Sequence, residues 1–282
     1  MRTMRAGFNH LLIAPGAAWL VVLFLGPMLT LLVYSVWQTS NYSIVSDFTT
    51  ANYVKAFTGA IYYDVTLRTV RIAVVTTLIS LVVGYPIAYY LARNVRRHRI
   101  ALLMLVIMPL WTSYLVRTFA WLLILGRNGV VNQALGAVGL TEAPLDWLLY
   151  SEFAVTLALV HIYVPFMVLP IYAVLEKFDG RLLEAARDLG AGPVRSFVTV
   201  TLPISIPGIV AGSIFVFVPA MGAYVTPELL GGTKGLMLGN VIAQQFGGTF
   251  EYPFGSALTI IMVVLVGVIV AAMSRFATAR KS

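Results

Sequence analysis

The sequence predicts an all-α membrane protein with six transmembrane helices, and two observations support this. Of the 282 residues, 60% are hydrophobic and 11% are charged, whereas soluble domains are about 45–50% apolar and about 25% charged. So few charged residues could not cover the water-facing surface of a soluble protein of this length. The second observation is a series of six apolar stretches. A bilayer core about 30 Å thick is crossed by a helix of about 20 such residues.

Each apolar stretch is interpreted as a helix because backbone in lipid must satisfy its own hydrogen bonds. The period-2 alternation of a membrane barrel is absent. The first stretch is too long for a secretion signal, so we expect it to be retained. No linker or repeat interrupts the chain, which predicts one transmembrane domain over residues 1–282. The predicted spans are Leu11–Trp37, Thr69–Ala92, Ile100–Leu125, Phe153–Leu175, Ile206–Val225 and Ser256–Ser274.

The loop charges predict the orientation of the chain. Thirteen Lys and Arg residues fall in one alternate set of loops and four in the other, while Arg71 and Arg117 fall inside spans. Cytoplasmic loops carry the excess of Lys and Arg, so both termini are expected in the cytoplasm. The net charge of +8 is thereby explained by the membrane, and no nucleic-acid partner is expected. Seven of the eleven acidic residues fall in the outer loops, which favours a cationic solute.

Residues for catalysis or metal binding are scarce. The chain has no cysteine, and His10, His98 and His161 are too far apart in sequence for a local metal motif. No nucleophile and base stand in a recognisable pattern. We therefore predict neither a catalytic site nor a metal site. The phosphate-binding pattern G-x-x-x-x-G-K-[ST] is also absent, so energy for transport would have to come from another subunit.

One loop predicted to be cytoplasmic, residues 179–203, has the pattern of a docking element. Asp179 can cap a short helix, Gly190 suits the position that ends it, and Pro193 suits the first turn of another helix. So short a helix is marginal in water, and we expect its apolar stripe to dock into a groove on a partner. A helix lying flat on lipid is the alternative, although Glu184 disfavours it. The stripe consists of Leu182, Ala186 and Leu189.

The same loop resembles the EAA loop of ABC importer permeases. Glu184-Ala-Ala is followed after three residues by Gly190, and after nine more by Val200-Thr-Leu-Pro203. The family usually has Ile where this chain has Val200, so the β-branch is kept. The resemblance implies that this helix couples the permease to a separate ATPase. The coupling residues carried over are Glu184, Ala185, Ala186, Leu189 and Gly190.

Further segments resemble the B-type permease subunit of spermidine/putrescine importers. They are Pro109–Trp121, Pro219–Tyr224, Gly231–Gly232, Gly239–Ile242 and Tyr252–Gly255. Where relatives carry Asp, this chain has Glu228, which keeps the charge on a longer side chain.

The resemblance implies a type I ABC importer permease (MetI-like) fold in the bacterial inner membrane. It also implies a second, different permease subunit, two ATPase subunits that bind ATP and Mg²⁺, and a periplasmic or lipid-anchored solute-binding protein. This chain itself is expected to bind no cofactor.

Four residues are candidates for the solute path. A polyamine requires carboxylates for charge-assisted hydrogen bonds and aromatic faces for cation–π contact. Trp111 and Tyr114 are three residues apart on the third span, hence on one helical face; an interfacial aromatic belt is the alternative. Tyr224 and Glu228 follow Gly222 at the end of the fifth span. Irregular backbone at that depth lines a cavity or packs in protein.

Two more polar residues lie within the spans. Arg117 is close enough to the predicted outer surface to snorkel, with a charge gate or an acidic partner as alternatives. We expect His161 to have a hydrogen-bonded packing role.

Other functions stay open on the sequence alone. The same machine could import another small cationic or amino-acid-like solute, such as an opine or an aminophosphonate. An ion-coupled secondary transporter is disfavoured by the docking loop and by the lack of paired broken helices in related halves. A membrane enzyme is disfavoured by the missing catalytic pattern.

Overall fold

A computed structural model of the chain describes residues 2–40, 43–95 and 97–279. Among these residues, five helices are long and apolar enough to cross a membrane, and there are six spans if one bent pair counts as one. The prediction of an all-α protein with several apolar spans is confirmed. Three of the Lys and Arg residues counted for orientation, namely Arg96, Arg280 and Lys281, lie outside the described residues.

The described elements follow one another in a simple order. The helices are α1 Arg2–Ser35, α2 Ala51–Thr58, α3 Ala60–Arg93, α4 Arg99–Ile107, α5 Tyr114–Leu125, α6 Val130–Ala137, α7 Glu152–Glu176, α8 Arg181–Asp188, α9 Pro193–Ser196, α10 Leu202–Met221, α11 Val225–Leu230, α12 Leu238–Gly247 and α13 Tyr252–Ala279. Two short antiparallel strands, β1 Gln38–Ser40 and β2 Ser43–Val45, pair with Gln38 opposite Val45. The contacts divide the chain into two compact units, Met1–Tyr63 with Val241–Val264 and Asp64–Asn240 with Leu265–Ser282.

In the first unit, α2 is fastened to the end of α1. The last carbonyls of a helix have no intrahelical partner. Asn52 Nδ2 donates to the carbonyl oxygens of Ser35 at 3.1 Å and Trp37 at 2.7 Å, and Tyr53 Oη donates to Ser35 Oγ at 2.7 Å. Lys55 adds an ion pair to Glu251 at 2.9 Å. Helix α2 therefore caps this end of α1.

In the second unit, α7 packs closely along α10 because α10 carries glycines at the contact. A Cβ added at Gly208 would lie 2.8 Å from the Pro170 carbonyl oxygen, and one at Gly212 would lie 3.0 Å from the Met167 carbonyl oxygen. Small residues allow helix backbones to approach closely where no hydrophobic force drives helices together in lipid. This contact holds the core from which the functional segments project.

The third predicted span is not one continuous helix. Helix α4 ends at Ile107, a 3₁₀ turn follows over Met108–Trp111, and α5 starts at Tyr114, with a bend of 87°. Pro109 has no N–H for the helical ladder, and Thr112 Oγ1 donates to its carbonyl oxygen at 2.8 Å. The expectation of an unbroken helix over Ile100–Leu125 is therefore wrong.

Candidate functional site

The predicted docking helix forms as the sequence indicated. The Asp179 carboxylate accepts the Arg181 N–H at 3.0 Å, and α8 runs from Arg181 to Asp188. Gly190 has φ +79°. Its N–H donates to the Arg187 carbonyl at 2.8 Å, while the Ala191 N–H donates to the Ala186 carbonyl at 2.9 Å. This pair of bonds is the Schellman ending, in which the left-handed position favours glycine.

The apolar stripe of α8 is largely uncovered in the part of the chain that the structure describes. Among the described residues no side chain of α8 is buried, and Leu182 is 51% exposed. Leu189, just after the helix, is 88% exposed. Glu184, Ala185 and Ala186 lie on the same short helix. A helix of eight residues is marginally stable in water unless its apolar side chains are covered. The geometry of α8 therefore suits a docking role.

The base of the docking loop, by contrast, is held by two arginines. Arg93 Nη1 donates to the Phe178 carbonyl oxygen at 3.3 Å, and its guanidinium lies 4.8 Å from the Phe178 ring. Arg99 pairs with Glu176 at 2.8 Å and also donates to the Ala92 carbonyl oxygen at 2.7 Å. Cations at helix C-termini are favoured by the helix dipole. The loop therefore leaves the helical core from a fixed base.

Beyond the docking helix, the chain passes into α10 through a π-helical turn, Phe197–Thr201. The rings of Tyr85 and Tyr89 meet Phe197 edge-on, with centroids 5.8 and 6.0 Å apart. The Tyr85 hydroxyl and Ser205 Oγ are 3.1 Å apart. Because π turns are rare and often lie at functional sites, this junction between the docking loop and α10 belongs to the candidate site.

The second candidate region begins where α10 stops. The helix ends at Met221, and Gly222 to Tyr224 are irregular before α11 starts at Val225. Once the ladder stops, the Pro219 carbonyl lacks its helical partner, and Tyr163 Oη from α7 donates to it at 3.3 Å. The prediction of irregular backbone here is confirmed. The Tyr224 side chain is 54% exposed.

Helix α5 meets α11 through a cluster of hydroxyl groups. Tyr114 Oη and Thr226 Oγ1 are 2.7 Å apart, and Thr118 Oγ1 lies 3.2 Å from the same threonine oxygen. Thr118 also donates to the Tyr114 carbonyl at 3.1 Å. Tyr114 is thereby placed against the helix that carries Glu228, which brings two of the predicted path residues into neighbouring elements.

Glu228 is exposed on α11 and one of its oxygens is held by an amide. Asn240 Nδ2 donates to Glu228 Oε2 at 2.8 Å and to the Tyr224 carbonyl oxygen at 2.7 Å. Asn240 itself is 5% exposed. Tyr224 and Glu228 are therefore joined through one buried side chain.

Trp111 is placed differently from the other candidates. It ends the 3₁₀ turn before the bend and is 72% exposed, and no hydrogen bond or ring contact joins it to another candidate within the part of the chain described. Contrary to the prediction, Trp111 and Tyr114 do not share one helical face, because the helix breaks between them.

Comparison with known proteins identifies the family to which this chain belongs. The family described as "binding-protein-dependent transport system inner membrane component" matches residues 84–282. The spermidine/putrescine transport system permease protein PotB of Salmonella typhimurium strain LT2 is 38% identical over 261 residues, which cover 92% of this chain and 90% of that protein. The chain belongs to this family. It is a multi-pass inner-membrane permease, and the resemblance seen in its motifs is confirmed.

Other relatives agree. PotB of Haemophilus influenzae is 37% identical over 271 residues, covering 96% of this permease and 94% of that protein. The inner membrane ABC transporter permease protein YdcU of Escherichia coli K12 is 34% identical over 282 residues, covering 95% and 89%. Membership of a permease family agrees with a transport role and not a catalytic one.

Solved structures confirm the expected ABC importer permease fold. A chain of a bacterial ABC transporter that imports the acidic polysaccharide alginate has a TM-score of 0.72 at 18% identity, with 99% of both chains covered. The alginate transporter in complex with an alginate pentasaccharide-bound periplasmic protein gives 0.70 at 19% identity, covering 96% of this permease and 93% of that chain. At such identity the likeness concerns the fold alone. The cytoplasmic placement of both termini stays a prediction.

Sequence reasoning missed two clusters of the permease. Asn240 lies in the segment Gly239–Ile242 that carried the family resemblance, but no role was assigned to it. A buried amide in an apolar run needs hydrogen-bond partners, and that signal could have found it. In the other cluster, Glu152 at the start of α7 pairs with both Arg68 and Arg71. No sequence spacing links residues so far apart.

Arg117 and His161 end in different situations. His161 Nδ1 accepts a hydrogen bond from Trp121 Nε1 at 3.2 Å, and the two rings pack edge-on, as predicted. Arg117 was expected to carry its charge toward water. Its Nε and Nη1 atoms are buried and have no hydrogen-bond partner among the described residues, while the residue as a whole is partly exposed; that it snorkels stays a prediction.

Proposed function

We propose that this permease forms half of the solute pathway of an ATP-driven importer, together with a second, different permease subunit. Two ATPase subunits bind on the predicted cytoplasmic side and carry the ATP and Mg²⁺, while this chain binds no cofactor. A periplasmic or lipid-anchored binding protein delivers the solute. The observation that carries this proposal is the uncovered apolar stripe of α8 on a fixed base.

Coupling runs through residues Glu184, Ala185, Ala186, Leu189 and Gly190. The exposed stripe of α8 fits a groove on the ATPase, as amphipathic helices do in helix-in-groove recognition. Closure of the ATPase pair would then push on a helix whose base is held by Arg93 and Arg99. The π turn at Phe197–Thr201 passes that movement to α10.

The solute we propose is a polyamine such as spermidine or putrescine. Its support is threefold: relatives bear that name, predicted outer loops are rich in acids, and the exposed carboxylate of Glu228 is joined through Asn240 to the backbone of Tyr224, whose side chain is partly exposed. Tyr114 belongs to the adjoining helix, and Trp111 is the fourth proposed path residue. Ammonium groups suit carboxylates and aromatic faces. Another small cationic or amino-acid-like solute is the second candidate, because Glu228 would bind any such ammonium group.

The test is ATPase activity of the transporter purified with its co-expressed partners. Binding protein and spermidine are added to the wild type, to Glu184→Ala, and to Glu142→Ala as a matched control. Glu142 is exposed and lies in a loop predicted to be on the opposite side. We expect loaded binding protein to stimulate the wild type and the control, and Glu184→Ala to lose the stimulation.

The possible outcomes test the coupling role of α8 and the identity of the solute separately. Stimulation by arginine or an aminophosphonate, but not by spermidine or putrescine, would keep the coupling and discard the polyamine. Failure of an ATPase to co-purify, or coupling in Glu184→Ala equal to that of the wild type, would show that the function given to α8 is wrong.

A further inference from the structure

The Asn240 side chain has one possible orientation in its site. Its Oδ1 accepts the Met237 N–H at 3.2 Å. Both acceptors on its other side, the Tyr224 carbonyl oxygen and Glu228 Oε2, receive hydrogens from Nδ2. An amide offers two such hydrogens and one acceptor oxygen, so a flip would place like groups against each other at all three contacts. Asn240 therefore has a single amide orientation, and in this orientation it donates to Glu228 Oε2.

Glycine at the preceding position makes this arrangement possible. A Cβ added at Gly239 would lie 2.7 Å from the Ala223 carbonyl oxygen and 3.3 Å from the Tyr224 Cβ. The start of α12 thus rests directly on the irregular segment after α10. This close approach brings the Asn240 amide within reach of both partners.

Glu228 does not need the hydrogen bond from Asn240 to replace lost contact with water. Glu228 is exposed, so water could solvate its carboxylate, and among the described residues no cation pairs with it. Its Oε1 has no hydrogen bond within the same residues. An amide that served only the backbone would be satisfied by Tyr224 and Met237. The extra contact fixes one oxygen of an exposed carboxylate and leaves the other open.

We propose that Asn240 is a positioning residue for an ammonium subsite on this permease. Asn240 holds Glu228 so that Oε1 receives a primary ammonium group, and it holds the Tyr224 backbone so that the phenol ring flanks that group. This inference rests on the proposed function for its ligand class, the ammonium ends of a polyamine. The direct contacts to the solute come from Glu228 and Tyr224, and Asn240 acts through them.

The first experiment is uptake kinetics in proteoliposomes that contain the complete transporter. In Asn240→Leu we expect the KM for spermidine to rise about tenfold while the maximal rate stays near that of the wild type, since a charge-assisted bond to an aligned carboxylate is weakened. Glu228→Gln keeps an acceptor for Asn240 but loses the charge, and it should raise KM by a similar factor. The double variant should be no worse than either.

The matched control is Gln245→Leu, which removes another buried amide of α12. Gln245 is 7% exposed, and its Oε1 accepts from Thr249 Oγ1 at 3.1 Å. Its KM should not change. A lower maximal rate with unchanged KM in Asn240→Leu would mean a merely structural role and would overturn the proposal, as would additive effects in the double variant.

The second experiment needs no polyamine and uses the absence of cysteine from the chain. A single Tyr224→Cys change in the complete transporter is treated with a trimethylammonium or a sulfonate methanethiosulfonate reagent, and modification of this chain is followed by mass spectrometry. A carboxylate aimed at this position should make the cationic reagent react about tenfold faster relative to the anionic one than it does without that charge. Asn240→Leu and Glu228→Gln should each abolish the preference.

The two experiments distinguish failure of the proposed solute from failure of the role proposed for Asn240. If no polyamine is taken up by the wild type, the proposed solute is wrong, but the reagent preference still decides the role of Asn240. A preference that persists in Asn240→Leu and disappears in Glu228→Gln would show that Glu228 needs no positioning. Failure of both reagents to reach the cysteine would place Tyr224 away from water and would also overturn the proposal.

Discussion

The docking loop and the Tyr224–Asn240 segment are built in opposite ways. The docking loop is held at its base and at Phe197, while Leu182 and Leu189 are exposed in the described part of the chain. In the Tyr224–Asn240 segment, the Asn240 amide donates to the Glu228 carboxylate and to the Tyr224 carbonyl oxygen, and it accepts the Met237 N–H. We propose that a partner completes the first region, whereas the hydrogen bonds of the second region lie within the chain itself. Changes in the docking loop should therefore alter coupling, and changes in the other segment should alter stability or solute handling.

The largest effect is expected at the turn after α8. Gly190 has φ +79°, a conformation that costs an L-residue about 1–2 kcal/mol, while Gly192 has φ −64°. Both have open space where a Cβ would be, so only the backbone angle distinguishes them. Gly190→Val should lower ATP-driven uptake about tenfold while the thermal unfolding temperature of the transporter stays nearly constant. Gly192→Val should behave like the wild type.

An unfolding temperature that falls strongly in Gly190→Val would contradict the distinction drawn between the two regions. It would mean that the turn supports the chain itself and not only its docking. Uptake and unfolding temperature, measured on the same preparations, decide this.

The next effect is expected where α12 rests on the irregular segment. Gly239→Ala places a methyl group 2.7 Å from the Ala223 carbonyl oxygen, and overpacking of this kind costs about 1–3 kcal/mol. We expect a lower unfolding temperature together with a raised KM for the transported cation. Gly247→Ala, at the other end of α12 and with nothing within 4 Å of its added Cβ, should change neither. Equal effects of the two substitutions would refute the close-packing argument.

The sequence could predict the features that depend on local pattern. Apolar length gave the spans, and the spacing of Leu182, Ala186 and Leu189 with Gly190 gave the docking helix and its ending. These depend on neighbours within one or two turns of the chain. The bend at Pro109 was missed because a proline inside a span kinks or ends a helix depending on its surroundings.

The missed contacts join residues distant in sequence. Asn240 meets Glu228 twelve positions away, and Glu152 meets Arg68 over eighty. Helix packing decides whether a buried polar side chain has a hydrogen-bond partner. That packing cannot be predicted from a single sequence. The residue types at Tyr224 and Glu228 could be predicted from solute chemistry, whereas their common support could not.

A smaller effect of unusual sign is expected at Arg117. Its Nε and Nη1 are buried without partners in the part of the chain described, although the residue is partly exposed, and buried polar atoms without hydrogen bonds destabilise the folded state. Arg117→Met should therefore raise the free energy of unfolding by about 1 kcal/mol or more. Arg127→Met changes an exposed arginine and should have no effect. A loss of stability in Arg117→Met, confined to the assembled transporter, would instead indicate a carboxylate on the partner permease.

The smallest effect is expected at the ion cluster of Glu152. This carboxylate pairs with Arg71 and, at 3.4 Å, with Arg68, which also donates to the Thr233 carbonyl oxygen at 3.2 Å. It lies at the start of α7, where the helix dipole favours a negative charge. Because the pairs are partly exposed, Glu152→Gln should cost only up to about 1 kcal/mol, seen as a slightly lower unfolding temperature at low salt.

High salt should remove most of that difference, since it screens exposed charges. Asp146→Asn breaks a more exposed pair, 3.8 Å from Arg127, and should show no difference at any salt concentration. If Glu152→Gln instead weakened the transporter strongly and regardless of salt, the cluster would be a buried support of the loop through Thr233. The part of the permease that is stabilised by contacts within the chain would then include α3 and α7 as well as the segment around Asn240.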